Sequence, residues 1–215
     1  MKTFFHPDSK AVRFFTVLCN LVILNFLWIL TSLPVVTLGA SNSAMFAVLF
    51  QYLDQGSDAV VKPYFKAFAA NFKQSTQVWI PVLLVGVLLL LDGWYLTGHA
   101  GDVSCILWIP FGLLLAALLA AGTFIFGLIP RFQNTTQQLL RNSVLIFLMN
   151  LFPSVAIILV QALPLLFFLF WPSMFLRIGI LWLMLGVSGF GYINAATMLR
   201  IFKKYLPDEE KTPEV

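Results

Sequence analysis

Long apolar runs separated by short polar stretches dominate the chain, and five of them stand out: about 14–36, 76–96, 104–129, 144–170 and 174–199. Each reaches the roughly 20 residues that a helix rising about 1.5 Å per residue needs to cross about 30 Å of hydrocarbon. Strands of a membrane barrel stop after about ten residues and alternate in polarity, so runs of this length predict helices. A sixth run, about 37–53, is shorter and carries Ser41, Asn42, Ser43 and Gln51, and hydropathy alone leaves its crossing undecided. The pattern changes over about 61–73. There Val61, Tyr64, Phe65, Phe68, Ala69 and Phe72 fall on one helical face, with Lys62, Lys66 and Lys73 on its flank and Pro63 suited to a first turn. This predicts an amphipathic helix lying in the headgroup layer, its lysines reaching toward anionic lipid or toward a cytoplasmic partner. The last ten residues, 206–215, are charged and Pro-containing and read as a disordered tail.

Composition sharpens the solvent. The 215 residues are 60% hydrophobic and only 10% charged, with a mean hydropathy of +0.91, whereas a soluble domain is roughly 25% charged. Lipid is therefore the medium for most of the chain. Because hydrocarbon offers backbone groups no partners, the expected fold is all-α: one polytopic helix bundle over 1–205.

Charge decides the sixth run and the orientation. Twelve of the 13 Lys and Arg residues fall in four stretches, 2–13, 62–73, 131–141 and 200–211, leaving Arg177 alone. If 37–53 crosses, all four stretches share one side; if it does not, the cations divide four against nine. Cationic loops favour the cytoplasmic side, so the sequence predicts six spans with both termini cytoplasmic in a plasma membrane. The first span reads as a retained anchor rather than a cleaved leader, because its apolar core is too long and Pro34 leads into more apolar sequence.

Candidate chemistry is sparse. Cys19 and Cys105 lie apart with no CxxC, and His6 and His99 are the only histidines, so no metal site, disulfide framework or cofactor is expected. Each cysteine reads as a small apolar core residue. No GxxxxGK[ST], HExxH or GxSxG is present, which argues against an ATP-driven pump, a zinc protease or an esterase, and the chain is expected not to be an enzyme. Nothing points to nucleic acid. Ionisable groups within spans are functional candidates by default, and Asp92 and Arg177 qualify as a candidate ion pair near the outer ends of their helices. Asn20, Asn25 and Gln161 are candidates for a polar path, while Lys62, Lys66, Lys73, Arg131 and Arg141 form a candidate surface for headgroups or a partner. Gly112, Ala116 and Ala120, four apart, make a small-residue stripe for a close helix neighbour in this chain or in a second copy, which leaves a homo-oligomer open. Asn71–Gln77 and Arg131–Gln137 resemble one another as polar stretches, either by duplication or by chance.

Three segments carry a family resemblance: Asn25 to Gly39 (NFLWILTSLPVVTLG), Phe65 to Gln74 (FKAFAANFKQ), and Arg131 to Thr135 with Leu140 to Ser143. On these the chain resembles the YesL-like family of bacterial integral membrane proteins, a domain of unknown function (624), from about residue 14 to 204. Family members often place Pro soon after the Gly of the first segment, where this chain has Ala40 and Ser41. The resemblance implies a non-enzymatic accessory or regulatory role beside an ABC-type sugar importer or a sensor kinase, in a bacterial plasma membrane. The alternative is a small transporter of a neutral solute such as a sugar or oligosaccharide. The resemblance supplies no catalytic or ligand residues.

Overall fold

A computed structural model describes residues 10–98 and 108–205, and these are all-helical. In chain order the helices are α1 (Lys10–Ser32), α2 (Leu38–Gln55), α3 (Val61–Gly98), α4 (Trp108–Leu128), α5 (Thr136–Met149), α6 (Leu151–Phe170), α7 (Pro172–Arg177) and α8 (Gly179–Phe202), with a 3-10 turn at Val35–Thr37 between α1 and α2. Six of them are long and apolar enough to cross a membrane: α1, α2 with its preceding turn, α3, α4, α6 and α8. Lys2, His6, His99, Cys105, Lys211 and the tail 206–215 lie outside the described residues.

Side-chain contacts give the helix directions. Asn25 meets Leu183, Val187 and Ser188, while Val17, Asn20 and Leu21 line a small space with Tyr192, so α1 runs antiparallel to α8. Trp79 lies against Phe126, and Gly93 faces Phe111, so α3 and α4 are antiparallel. Asn150, before α6, bonds Tyr205 after α8, while Phe167 lies near Trp182, so α6 also opposes α8. At one end, the carboxylate of Asp54 near the end of α2 meets Arg131, just past α4, at 2.7 Å and Lys203, just past α8, at 3.2 Å. The six spans therefore alternate in direction.

The helices depart from expectation in four places. Residues 61–73 do not form a separate helix; they run unbroken into the span, and α3 is 38 residues, or about 57 Å, long. The apolar face of that stretch is divided: Tyr64 is fully buried against α1 and α2, while Phe65 and Phe72 are exposed. Second, the run 144–170 breaks at Asn150 (φ −131°, ψ 51°) into α5 and α6. Pro153 explains the break. Inside a continuous helix its ring would clash with the carbonyl of Met149, whereas as the third residue of α6 it needs no amide hydrogen. Side chains add hydrogen bonds across the break: Asn150 Nδ2 donates to the Ile146 carbonyl at 3.0 Å, and Ser154 Oγ lies 2.7 Å from the Asn150 carbonyl and 3.3 Å from that of Phe147.

Third, the run 174–199 is split near Ile178 into α7 and α8, with Pro172 opening α7 and restricting Trp171 before it. Fourth, the similar segments 71–77 and 131–137 fold differently. The first lies inside α3; the second is a turn followed by a capping box, in which Gln138 N–H donates to Thr135 Oγ1 and Thr135 N–H donates to Gln138 Oε1. At the other end of the scale of regularity, Gly56 (φ 64°) closes α2 in a left-handed cap, its N–H donating to the Tyr52 carbonyl.

The core gathers around α2. Phe46, Val48, Leu49 and Phe50 pack with Phe124, Ile125, Leu128, Met198 and Phe202. The outer faces are apolar instead: Phe152, Trp94, Ile180 and Leu90 are more than 70% exposed, as helices solvated by lipid require. Asp54 ties three helix ends together, and Arg131 also sits 5.8 Å over the Phe50 ring. The two side chains of the Asp54–Arg131 pair remain 21% exposed, so solvent screening keeps the contribution small. Asp54→Ala is expected to cost about 1 kcal/mol of stability, with the loss shrinking in high salt, as measured by unfolding at two ionic strengths.

Candidate binding cleft

Polar side chains in the apolar interior are used first for locking helices together. Asn25, fully buried, inserts its amide into the backbone ladder of α8: Nδ2 donates to the Leu183 carbonyl at 2.7 Å, and Oδ1 accepts from Val187 N–H and Ser188 N–H, both at 3.0 Å. Leu183 C=O and Val187 N–H are the two halves of one helical rung, so the side chain bridges a turn of its neighbour. Around the α1–α2 junction, Thr31 Oγ1 shares hydrogen bonds with Tyr64 at 2.6 Å and Ser41 at 2.9 Å. Ser75 Oγ donates to Ser43 Oγ at 2.8 Å. Trp28 Nε1 donates to Asn42 Oδ1 at 2.9 Å, and Trp79 Nε1 donates to the Val35 carbonyl at 2.7 Å. Gly39 permits this junction: a Cβ there would lie 2.6 Å from Trp79 Cβ and 2.8 Å from the Ser75 carbonyl oxygen. Ala40 and Ser41 fall in the first turns of α2 and are fully buried.

Not all of the space between the helices is filled. A cleft of about 600 Å³ opens between α2, α3, α4, α6 and α8, a size suited to a small organic ligand. Its walls are aromatic and aliphatic, with Phe46, Trp79, Phe126, Trp182 and Phe190 contributing rings, and Gly122 and Gly186 lowering the surface. Four polar residues line it: Asn42, Thr123, Gln161 and Asn194. Thr123 returns its hydroxyl to the Leu119 carbonyl, and Asn42 is held by Trp28. Asn194 is only 2% exposed, and its Oδ1 has no hydrogen-bond partner, which costs about 1–3 kcal/mol unless something in the cleft supplies a donor. Among the described residues, no Asp, Glu, Lys, Arg or His lines the cleft.

The residues singled out in the sequence are scattered by this arrangement. Gln161 alone of the three path candidates lines the cleft; Asn25 is enclosed in α8, and Asn20 points at Asp58 with a long 3.5 Å contact. Asp92 and Arg177 are both exposed and make no ion pair with each other, because α3 does not pack against α7 or α8. Lys62, Lys66, Lys73 and Arg141 are exposed, while Arg131 is engaged with Asp54. In the small-residue stripe, Ala120 is buried, with Ser143 Oγ of α5 against its carbonyl and that of Ala121, whereas Gly112 and Ala116 are exposed, and a Cβ added at Gly112 meets nothing within 4 Å. Cys19 is exposed rather than a core residue. Among the described residues no group of His, Cys, Asp or Glu could hold a metal ion.

Asn42, Asn194, Trp79 and Trp182 are the site residues that sequence reasoning did not select. Asn194 carried a signal, a lone amide within a span, but that signal is shared with Asn25, which turns out to be a lock. No curated protein and no solved structure matches the chain. Residues 21–93 match the family described as "Protein of unknown function, DUF624". That stretch contains the Thr31–Gly39 junction, Tyr64, Ser75 and Trp79, which hold α1, α2 and α3 together, and Asn25, which ties α1 to α8. The resemblance to the YesL-like proteins, themselves a DUF624 family, is thereby shown over residues 21–93 of a multi-pass helical membrane protein.

Proposed function

We propose that this chain is a non-enzymatic accessory or regulatory component of a carbohydrate uptake or sensing system in a bacterial plasma membrane, with both termini in the cytoplasm. The observation that carries this reading is an exposed basic surface on α3. Lys62, Lys66 and Lys73 are exposed on α3 beside Phe65 and Phe72, which are 45% and 39% exposed. Gln74 donates to the Asn134 carbonyl at 2.8 Å, which sets this stretch beside the turn before α5 and its exposed Arg141. Cations interleaved with exposed rings suit a partner's acidic and apolar surface, and the family resemblance supplies the partner class, a sugar importer or sensor kinase. α3, at 38 residues, is also longer than a bilayer crossing needs.

The transporter alternative relied on a path through Asn20, Asn25 and Gln161, and these residues occupy three separate places. The accessory reading is tested by mild extraction from native membranes. The chain is expected to co-purify with an importer or sensor subunit, and Lys62→Glu with Lys66→Glu is expected to release it at least tenfold. A protein that always runs alone at native levels overturns the reading. Orientation is tested separately: cysteines placed at Asp58 and Gln133 are expected to react only with reagents that reach the cytoplasm, and labelling of either from outside reverses the assignment.

A further inference from the structure

The cleft between α2, α3, α4, α6 and α8 is independent of the basic surface, and its lining specifies an occupant. It is bounded by Leu118 to Phe126 in the second half of α4 and by Gln161 with Pro164 in the middle of α6. Lining residue Leu119 is 40% exposed, and on α6 Leu159, Leu163 and Leu166 are 41–57% exposed, so the nearest bulk phase is lipid rather than water. An apolar space of this size in contact with lipid fills with apolar chain. Pure hydrocarbon would still leave Asn194 Oδ1 unpaired.

We propose that the cleft binds an uncharged membrane lipid bearing a free hydroxyl, a diacylglycerol-like molecule, with its acyl chain along Phe46, Trp182 and Phe190 and its hydroxyl at Asn194. A hydroxyl both donates and accepts, so it pairs with an amide presented by either of its two polar atoms. Among the described residues the lining has no charge to hold a phosphate or an ammonium, and burying either without a counter-charge is costly. Gln161 is a second amide within the same space. Gly122 keeps the wall open, since a Cβ built there meets nothing within 4 Å.

The test uses the full chain in phosphatidylcholine nanodiscs with a diacylglycerol carrying a photoreactive group in its acyl chain, and the crosslinks are mapped by mass spectrometry. Crosslinks are expected at cleft residues such as Trp182 and Leu118. Excess unlabelled diacylglycerol is expected to compete, and the same lipid with its hydroxyl acetylated is expected to compete at least tenfold less well. Gly122→Leu, whose Cβ has open space around it and whose side chain extends into the cleft, and Asn194→Leu are each expected to lower cleft labelling about tenfold. If Asn194→Leu does not fold, the comparison of hydroxylated and acetylated competitors on the unaltered chain decides the same point. Equal competition by the acetylated lipid, labelling of exposed Phe152 and Leu90 as strong as that of the cleft, displacement by free glucose or maltose, or unchanged labelling of Gly122→Leu each overturns the proposal.

Discussion

Gly39→Ala is expected to lower the stability of the folded bundle by about 1–3 kcal/mol, the usual penalty for adding atoms to a packed site. The added carbon would lie 2.6 Å from Trp79 Cβ and 2.8 Å from the Ser75 carbonyl oxygen, with the Phe126 ring at 3.2 Å. Neither of the two nearest atoms is the free end of a flexible side chain, so relief requires α2 and α3 to separate. Separation would strain the Ser75–Ser43 hydrogen bond and the Trp79 bond to Val35. The gain in helix propensity on removing a glycine, at most about 1 kcal/mol, does not offset this. Thermal denaturation of purified protein, followed by the loss of the monodisperse peak in size-exclusion chromatography, measures it. Gly122→Ala is the matched control: it makes the same chemical change where nothing lies within 4 Å, and it should leave the midpoint unchanged or slightly higher. A Gly39→Ala midpoint equal to that of the control would refute the close approach.

Asn25→Leu has the second large expected effect. Three hydrogen bonds to the α8 backbone are lost together, and their donors and acceptor lie where no water can replace the amide. Interhelical hydrogen bonds in membranes average about 0.6 kcal/mol, with the strongest near 1.7 kcal/mol, so the three predict a loss of about 2 kcal/mol. The Val187–Leu183 rung can partly reclose, which keeps the figure from being larger. Unfolding in mixed detergent gives the measurement, with Asn20→Leu for comparison. Asn20 has a single 3.5 Å contact to Asp58 and should cost less than about 0.5 kcal/mol. Equal losses for the two would show that Asn25 is not a lock.

These two positions also show what the sequence could and could not reveal. The six spans were legible because length and apolarity are properties of each segment alone, and the grouping of cations predicted the common end that Asp54, Arg131 and Lys203 share. Asn25 was visible as a buried polar residue, but its role depends on which helix faces it, and the partner lies 158 positions away in the chain. The break at Asn150 had a readable cause in Pro153, obscured because Pro81 and Pro164 stand inside unbroken helices and proline alone does not decide. The proposed pairing of Asp92 with Arg177 assumed that residues of similar depth are neighbours; depth says nothing about position around the bundle. The cleft was illegible for the same reason, since it is made by what five helices leave empty.

The enclosure of α2 has a consequence for how the chain enters the membrane. It is the least apolar of the six spans and the most enclosed by its neighbours, with Ser41 and Ser43 fully buried and hydrogen-bonded to Thr31 and Ser75. Released alone into lipid during synthesis, α2 would carry those hydroxyls with few partners, and its partitioning would be marginal. Thr31 has already been made when α2 emerges, but Tyr64 and Ser75 have not. Stable insertion of α2 therefore waits for α3, and α1 to α3 are expected to settle as one unit from the translocation channel. Chains truncated before Tyr64 should leave α2 accessible to water, whereas chains extended past Trp79 should protect it.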